Sequence, residues 1–331
     1  MFRTAIILAL PLIVAGATSS IAQQQPSFSL ALPLDCELGE TCFIQQYFDH
    51  DPSKGVRDYR GGSMSYDGHN GVDLRVPSLA AQQRGVSVIA AAPGVVKAVR
   101  DGIADVNVHQ IGVDKIAGRE CGNGVLIEHS GGWETLYCHM ANGSILVHTG
   151  DRVETGAPLG LVGLSGNTEF PHLHFSVGCN DIIVDPFDAD ASACGATHSL
   201  WSQAAADALA YHSPAVINFG FADETLSLAD IETGRTDAMA PTADSPALVA
   251  YVRAIGLRAK DVQSFTIKGP NGEVIAHSEA PPLDSNMAER FMYVGQRKAA
   301  AGWPRGVYEA DFEIRREGTT ALSRHFSFEL Q

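Results

Sequence analysis

Short apolar runs, each cut off by glycine, proline or aspartate, recur along nearly the whole chain. "VSVIAAAPGVVKAVR", "GVLIEHSGGWETLYCHM" and "APLGLVGLSG" carry β-branched residues in stretches that punctuation keeps short. Such a chain is confined to short strands and tight turns, an all-β fold. "SGG" at 130–132 reads as a hairpin turn, and "TGDRVETG" at 149–156 as two turns around one short strand. From 215 onward period-2 alternation dominates. Tyr308, Ala310, Phe312 and Ile314 alternate with Glu309, Asp311, Glu313 and Arg315, and Phe326, Phe328 and Leu330 with Ser327 and Glu329. "PNGE" at 270–273 adds an Asn-Gly hairpin signal. About seven strands fit between 215 and 331, which predicts an immunoglobulin-like sandwich. The alanine-rich "SLWSQAAADALAYH" at 199–212 reads as a single helix stopped by Ser213-Pro214.

The 331 residues are enough for two ordinary domains. The N-terminus predicts a secretory signal over 1–22. Arg3 precedes an apolar run of about a dozen residues, followed by the small-residue site Ser20-Ile21-Ala22. The run is too short for a span, which needs ~20 apolar residues. An exported protein, periplasmic or secreted, follows, with no stable membrane insertion after cleavage. Six cysteines, Cys36, Cys42, Cys121, Cys138, Cys179 and Cys194, fit an oxidising compartment. Proximity along the chain favours 36–42, 121–138 and 179–194 among the roughly fifteen connectivities. A net charge of −15 argues against nucleic acid or an anionic membrane surface as the main partner. The organisation predicted is an arm over 23–50, a β domain over 51–195, a helical linker over 196–214 and the sandwich over 215–331. The sandwich has no cysteine and no dense cluster of ligand residues. Nothing in the sequence names a protein partner.

Chemistry concentrates in three segments. In "EFPHLHFSV" His172 and His174 sit one residue apart in a β-prone run, so both rings face one surface of a strand. That spacing suits a metal ligand with a second imidazole beside it, or two half-buried histidines at a sheet edge. In "DGHNGVDL" His69 and Asp73 are four apart, and Asn70-Gly71 permits a turn that folds one toward the other; taken alone, a capping aspartate and a surface histidine fit the pattern equally. In "LYCHM" His139 lies on a predicted strand with Cys138 facing the opposite way. Together they offer four imidazoles and one carboxylate. A hydrolytic zinc site needs three such ligands and an open position, which leaves two histidines for proton transfer or charge stabilisation.

These segments resemble the lysostaphin-like (LytM-type) zinc metallopeptidases, which cleave peptide bridges in bacterial cell walls. The resemblance covers about 60–190 and rests on "HNGVD", "APGVVKAV", "GNGVLIEH", "ETLYCHM", "GDRVETGAPLGLVGLSG" and "PHLHF", in matching order and spacing. It implies a compact, mostly antiparallel β domain with a groove holding zinc. By position, it implies that His69, Asp73 and His174 are the zinc ligands and that His139 and His172 form the catalytic pair. Zinc is the one cofactor implied, and a peptidoglycan peptide the substrate. The implied function is a zinc metalloendopeptidase acting on stems or cross-bridges. The alternative is a non-catalytic relative that binds peptidoglycan or activates a separate hydrolase.

Two positions depart from the family pattern. Phe170 stands where glycine often precedes "PHLHF", and Ser176 where glutamate often follows, which predicts an altered groove shape. Residues 101–120 form a longer insertion that can line the groove, with His109 exposed on it. His129 and His148 match no ligand position and are expected to be structural or on the surface.

Overall fold

The computed structural model describes residues 28–189, 194, 198–298 and 302–331. The expected signal segment lies outside them. Ten strands come first: β1 (Phe43–Gln46), β2 (Val72–Arg75), β3 (Ser87–Ile89), β4 (Gly94–Arg100), β5 (Asn123–Glu128), β6 (Trp133–Met140), β7 (Arg152–Val153), β8 (Pro158–Leu161), β9 (His172–Cys179) and β10 (Ile182–Val184). One antiparallel sheet runs β1-β2-β9-β6-β5-β4-β7 with β10 beside β9, while β3 and β8 pair apart. Strand alternation sorts its side chains. On β9, Leu173, Phe175 and Val177 enter the core together with Val72 and Leu74 of β2. Each such burial stabilises the fold by about 1.5–3 kcal/mol. The intervening residues, His172 and His174 on β9 and Asp73 and Arg75 on β2, share the opposite face. The register sets Asp73 against His174 and Arg75 against His172.

The turns expected at 130–132 and around Arg152–Val153 are present, and so are disulfides 36–42, 121–138 and 179–194. Residues 28–50 are more than an arm. Leu30, Leu34 and Tyr47 are buried, and β1 forms the sheet edge beside β2. Two short helices, α1 (Leu79–Arg84) and α2 (Val108–Ile111), flank the sheet, the second within the insertion. The helix expected over 199–212 shortens to α3 (Gln203–Ala208). Leu200 N–H donates to Pro186 O and Ser202 N–H to Leu30 O, so these residues extend along the arm before Ser202 caps the helix.

The remainder holds β11 (Ala215–Ala222), α4 (Leu228–Glu232), β12 (Ala247–Leu257), β13 (Val262–Lys268), β14 (Val274–Glu279), β15 (Met287–Arg297), β16 (Gly306–Arg316) and β17 (Thr319–Leu330). The seven strands form antiparallel sheets β11-β12-β15 and β14-β13-β16-β17. Leu248, Ala250 and Val252 of one meet Phe265, Tyr308 and Phe312 of the other in a single core. β12 is buried on both faces. Its outer residues Val249 and Tyr251 pack under Leu226, Ile231 and Met239, and Ile255 meets Phe43 of β1. This half therefore docks on the histidine-bearing half through β12.

Candidate active site

Three atoms converge where β2 and β9 meet. His69 Nε2, Asp73 Oδ1 and His174 Nδ1 lie 3.1, 3.2 and 2.8 Å apart as pairs His69–Asp73, His69–His174 and His174–Asp73. The expected turn through Asn70-Gly71 brings His69 to Asp73. Gly71 is required by close approach. A Cβ there would stand 2.7 Å from the His174 ring and from Phe175 O.

The outer nitrogens fix what the inner ones can do. His69 Nδ1 lies 2.6 Å from the Tyr47 carbonyl, an acceptor only, so Nδ1 donates and Nε2 presents a lone pair. Ser176 Oγ donates to Asn70 O at 2.8 Å, so it accepts from His174 Nε2 at 3.0 Å and leaves His174 Nδ1 bare. Two bare nitrogens and a carboxylate oxygen thus face one another, which is repulsive unless a proton or a cation sits among them. Burial opposes charge on His69, but Asp73 outweighs it and raises its pKa. Burial likewise disfavours the Asp73 anion, yet His69 and His172 hold its carboxyl well below the usual range. Burial wins at His174 and lowers its pKa despite Asp73. The separations are a little shorter than the roughly 3.3–3.6 Å edges of a tetrahedron with metal–ligand bonds of ~2.0–2.2 Å, close enough for one small cation to reach all three atoms. The donor set and its locked tautomers therefore fit a divalent cation of zinc's preferences.

His139 and His172 flank this cluster, with ring centroids 4.7 Å apart. His139 Nδ1 donates to Ser165 O at 2.8 Å, which leaves Nε2 as a proton acceptor. Burial, with His172 and His174 nearby, pushes His139 well below its ordinary pKa and keeps it neutral. His172 Nδ1 bonds Phe170 O at 2.9 Å and Thr168 Oγ1 at 3.0 Å, and its Nε2 lies 3.4 Å from Asp73 Oδ1. His139 departs from the regular strand assumed for it. Its φ is +61°, a left-handed conformation that is uncommon outside glycine, held by His139 N–H donating to Cys121 O at 2.8 Å. The Cys121–Cys138 disulfide secures the same two segments.

All five predicted site residues are therefore brought together. His109 pairs with Glu169 on the exposed insertion, and His148 is exposed. His129 is buried against Pro93 O and Thr135, far from the cluster in role. Asp73, His139 and His172 line a cavity of about 1170 Å³. The insertion supplies part of one wall through Val106 and Asn107. The sequence reading missed the opposite wall, where Arg75, Glu232, Arg253 and Glu289 gather. Arg75 Nη1 donates to Gln45 Oε1 and Glu289 Oε2, and Arg253 bonds Glu289, Glu232 and Pro77 O. Burial and the Arg253 charge bring Arg75 down to about 10, still cationic at neutral pH.

The family model described as Peptidase family M23 matches residues 67–186, a segment that carries His69, His139, His172 and His174 and, of the opposite wall, Arg75 but not Glu232, Arg253 or Glu289. Residues 67–186, just over a third of the chain, are therefore similar to peptidase family M23. The M23 segment is similar to peptidoglycan DD-endopeptidase ShyB of Vibrio cholerae, 39% identical over 69 residues, which are 21% of this chain and 16% of that protein. It is also similar to DD-carboxypeptidase/endopeptidase Mpg of Neisseria meningitidis, 38% identical over 65 residues, 20% of this chain and 14% of that one. The chain thus spans less than a fifth of the length of these relatives. The catalytic domain of the prophage-encoded M23 protein EnpA from Enterococcus faecalis superposes with a TM-score of 0.32 at 22% identity, covering 48% of this chain and 95% of that one.

Proposed function

We propose that this protein is an exported zinc metalloendopeptidase that hydrolyses peptide bonds in peptidoglycan stems or cross-bridges. The observation that carries the reading is the convergence of His69 Nε2, Asp73 Oδ1 and His174 Nδ1 within 3.2 Å, lone pairs inward, beside two further imidazoles. These three would hold the zinc. Bound there, it would supply a Lewis acid for the scissile carbonyl and acidify a water toward neutrality. His139, neutral and with Nε2 free, is suited to take a proton. His172, whose Nδ1 is likewise turned to a carbonyl, that of Phe170, also presents Nε2, so either ring is suited to take a proton and, once protonated, to donate to developing negative charge. Base and stabiliser are assigned to the pair jointly. The name of the similar protein ShyB, a peptidoglycan DD-endopeptidase, supports the substrate class.

The same reading takes 51–195 as the peptidase unit and 215–331 as an immunoglobulin-like sandwich. The order β11-β12-β15 against β14-β13-β16-β17, with seven strands in two sheets, supports the latter. The deciding experiment measures metal content and the fragments released from purified peptidoglycan. Wild type is expected to carry one zinc per chain and release peptides. His174→Ala is expected to lose metal and turnover together. His139→Ala is expected to keep metal and lose about 10²–10⁴ in rate. Wild type without metal would favour the non-catalytic alternative and sink the proposal.

A further inference from the structure

Arg75 follows Asp73 by two residues on β2, shares its face of the sheet and pairs in register with His172. Its side chain is fully buried, and it lines the same cavity as Asp73, His139 and His172. Phe170 lies across the guanidinium, 4.7 Å from ring centroid to the central carbon. Nη1 is used twice, on Gln45 Oε1 at 2.7 Å and Glu289 Oε2 at 2.8 Å. Among the described residues Nε and Nη2 have no partner at all. Those two nitrogens form one edge of the guanidinium, and their parallel N–H bonds match the two oxygens of a carboxylate. A buried cation with an unmet bidentate edge is costly, because each unpaired donor forfeits its hydration. The unmet edge, not a surplus of positive charge, is what would draw an anion, and it suits one of low charge. Arg75 and Arg253 balance Glu232 and Glu289, whereas a dianion such as phosphate would face two carboxylates without a further cation.

We propose that the Nε–Nη2 edge of Arg75 is a carboxylate subsite of the peptidase groove, which orients substrates by a free carboxylate near the scissile bond. The inference rests on the peptidase reading and narrows its substrates to peptides with a free carboxyl group on the Arg75 side of His172. Phe170 stacks on the guanidinium and holds its plane, so a bound carboxylate is placed in direction as well as in position.

The test uses the full chain after treatment with a chelator, so that nothing is hydrolysed. Calorimetry compares stem peptides ending in a free carboxylate with the same peptides ending in an amide. The carboxylate form is expected to bind at least ~10-fold more tightly, the order of one charge-assisted bidentate pair. Arg75→Gln should abolish that preference, and Arg75→Lys should restore only part of it, since an ammonium lacks the fork. Equal affinity of wild type for the two peptides overturns the proposal, whether or not the Arg75 variants fold. So does an Arg75→Gln protein of native melting temperature that keeps the preference. Inorganic phosphate that displaces the carboxylate peptide at lower concentration than acetate does would overturn the assignment to carboxylates. A preference without peptidoglycan hydrolysis by the zinc-loaded chain counts against the catalytic reading alone, and hydrolysis without preference counts against the subsite alone.

Discussion

Ser176 shows how one hydroxyl can set the chemistry of a neighbouring ring. It spends its proton on Asn70 O and so obliges His174 to donate from Nε2 and to present Nδ1 inward. Ser176→Ala is therefore expected to weaken zinc binding by about 10–100-fold, the usual cost of losing an outer partner of a metal-binding imidazole. Competition with a fluorescent chelator measures it, and unchanged affinity would show that the tautomer is fixed elsewhere. His129 illustrates the opposite use of an imidazole. Burial lowers its pKa against the pull of the Pro93 carbonyl, so the folded chain resists protonation more than the unfolded chain does. As pH falls below ~6.5 the unfolded state binds the proton first. Its contribution to stability is full above that pH and is lost as pH falls toward the lowered folded value. Urea midpoints are expected to fall more steeply with acidification in wild type than in His129→Gln. Parallel curves would place the lowering elsewhere. The five converging residues could be picked out in the sequence because motif spacing and family resemblance both mark them. The outer partners could not, because a backbone carbonyl such as Tyr47 O leaves no trace in residue identity.

At the scale of elements, β2, β9 and the turn before β2 act as one piece. Gly71 is where that turn passes under His174, and a methyl group there has no free space. Gly71→Ala is expected to cost about 1–3 kcal/mol through overpacking, and to lower zinc stoichiometry because the displaced neighbour is the His174 ring. A urea midpoint and a metal assay on the same sample check both effects. A variant destabilised with full metal content would show that the backbone, not the ring, yields. Strands, hairpin turns and disulfide pairs followed from punctuation and proximity, since both are local. His139 did not follow. Regular alternation assigns its side by counting, but a φ of +61° breaks the count, and the cause is the Cys121 carbonyl brought in from another segment. The short α3 has a similar origin. Alanine content favours a longer helix, but Leu30 and Pro186 claim the hydrogen-bonding groups that would extend it.

Across the whole molecule, the two halves meet at a four-charge network rather than at a purely apolar seam. Glu289 lies 214 positions from Arg75, and no local pattern in the sequence could pair them. Arg253 is the hinge of the network. Its side chain is 3% exposed and reaches Glu232 on α4, Glu289 on β15 and Pro77 O beyond β2. A buried pair of this kind adds little over an apolar replacement of both partners, but removing one partner strands the others. Arg253→Met leaves Glu232 and Glu289 facing a single cation, Arg75, and is expected to destabilise the protein by about 3–5 kcal/mol. Adding Glu232→Gln should recover part of that loss, because the stranded charge is then gone. Urea denaturation of the single and double variants measures the coupling. A loss below about 1 kcal/mol for Arg253→Met, the range of an exposed pair, would mean that water already serves these carboxylates. The network would then be a wet contact, and the groove wall it forms would owe its position to other contacts between the halves, such as the packing of Ile255 and Ile217 on Phe43 and the bond Gln45 Nε2 donates to Ala288 O.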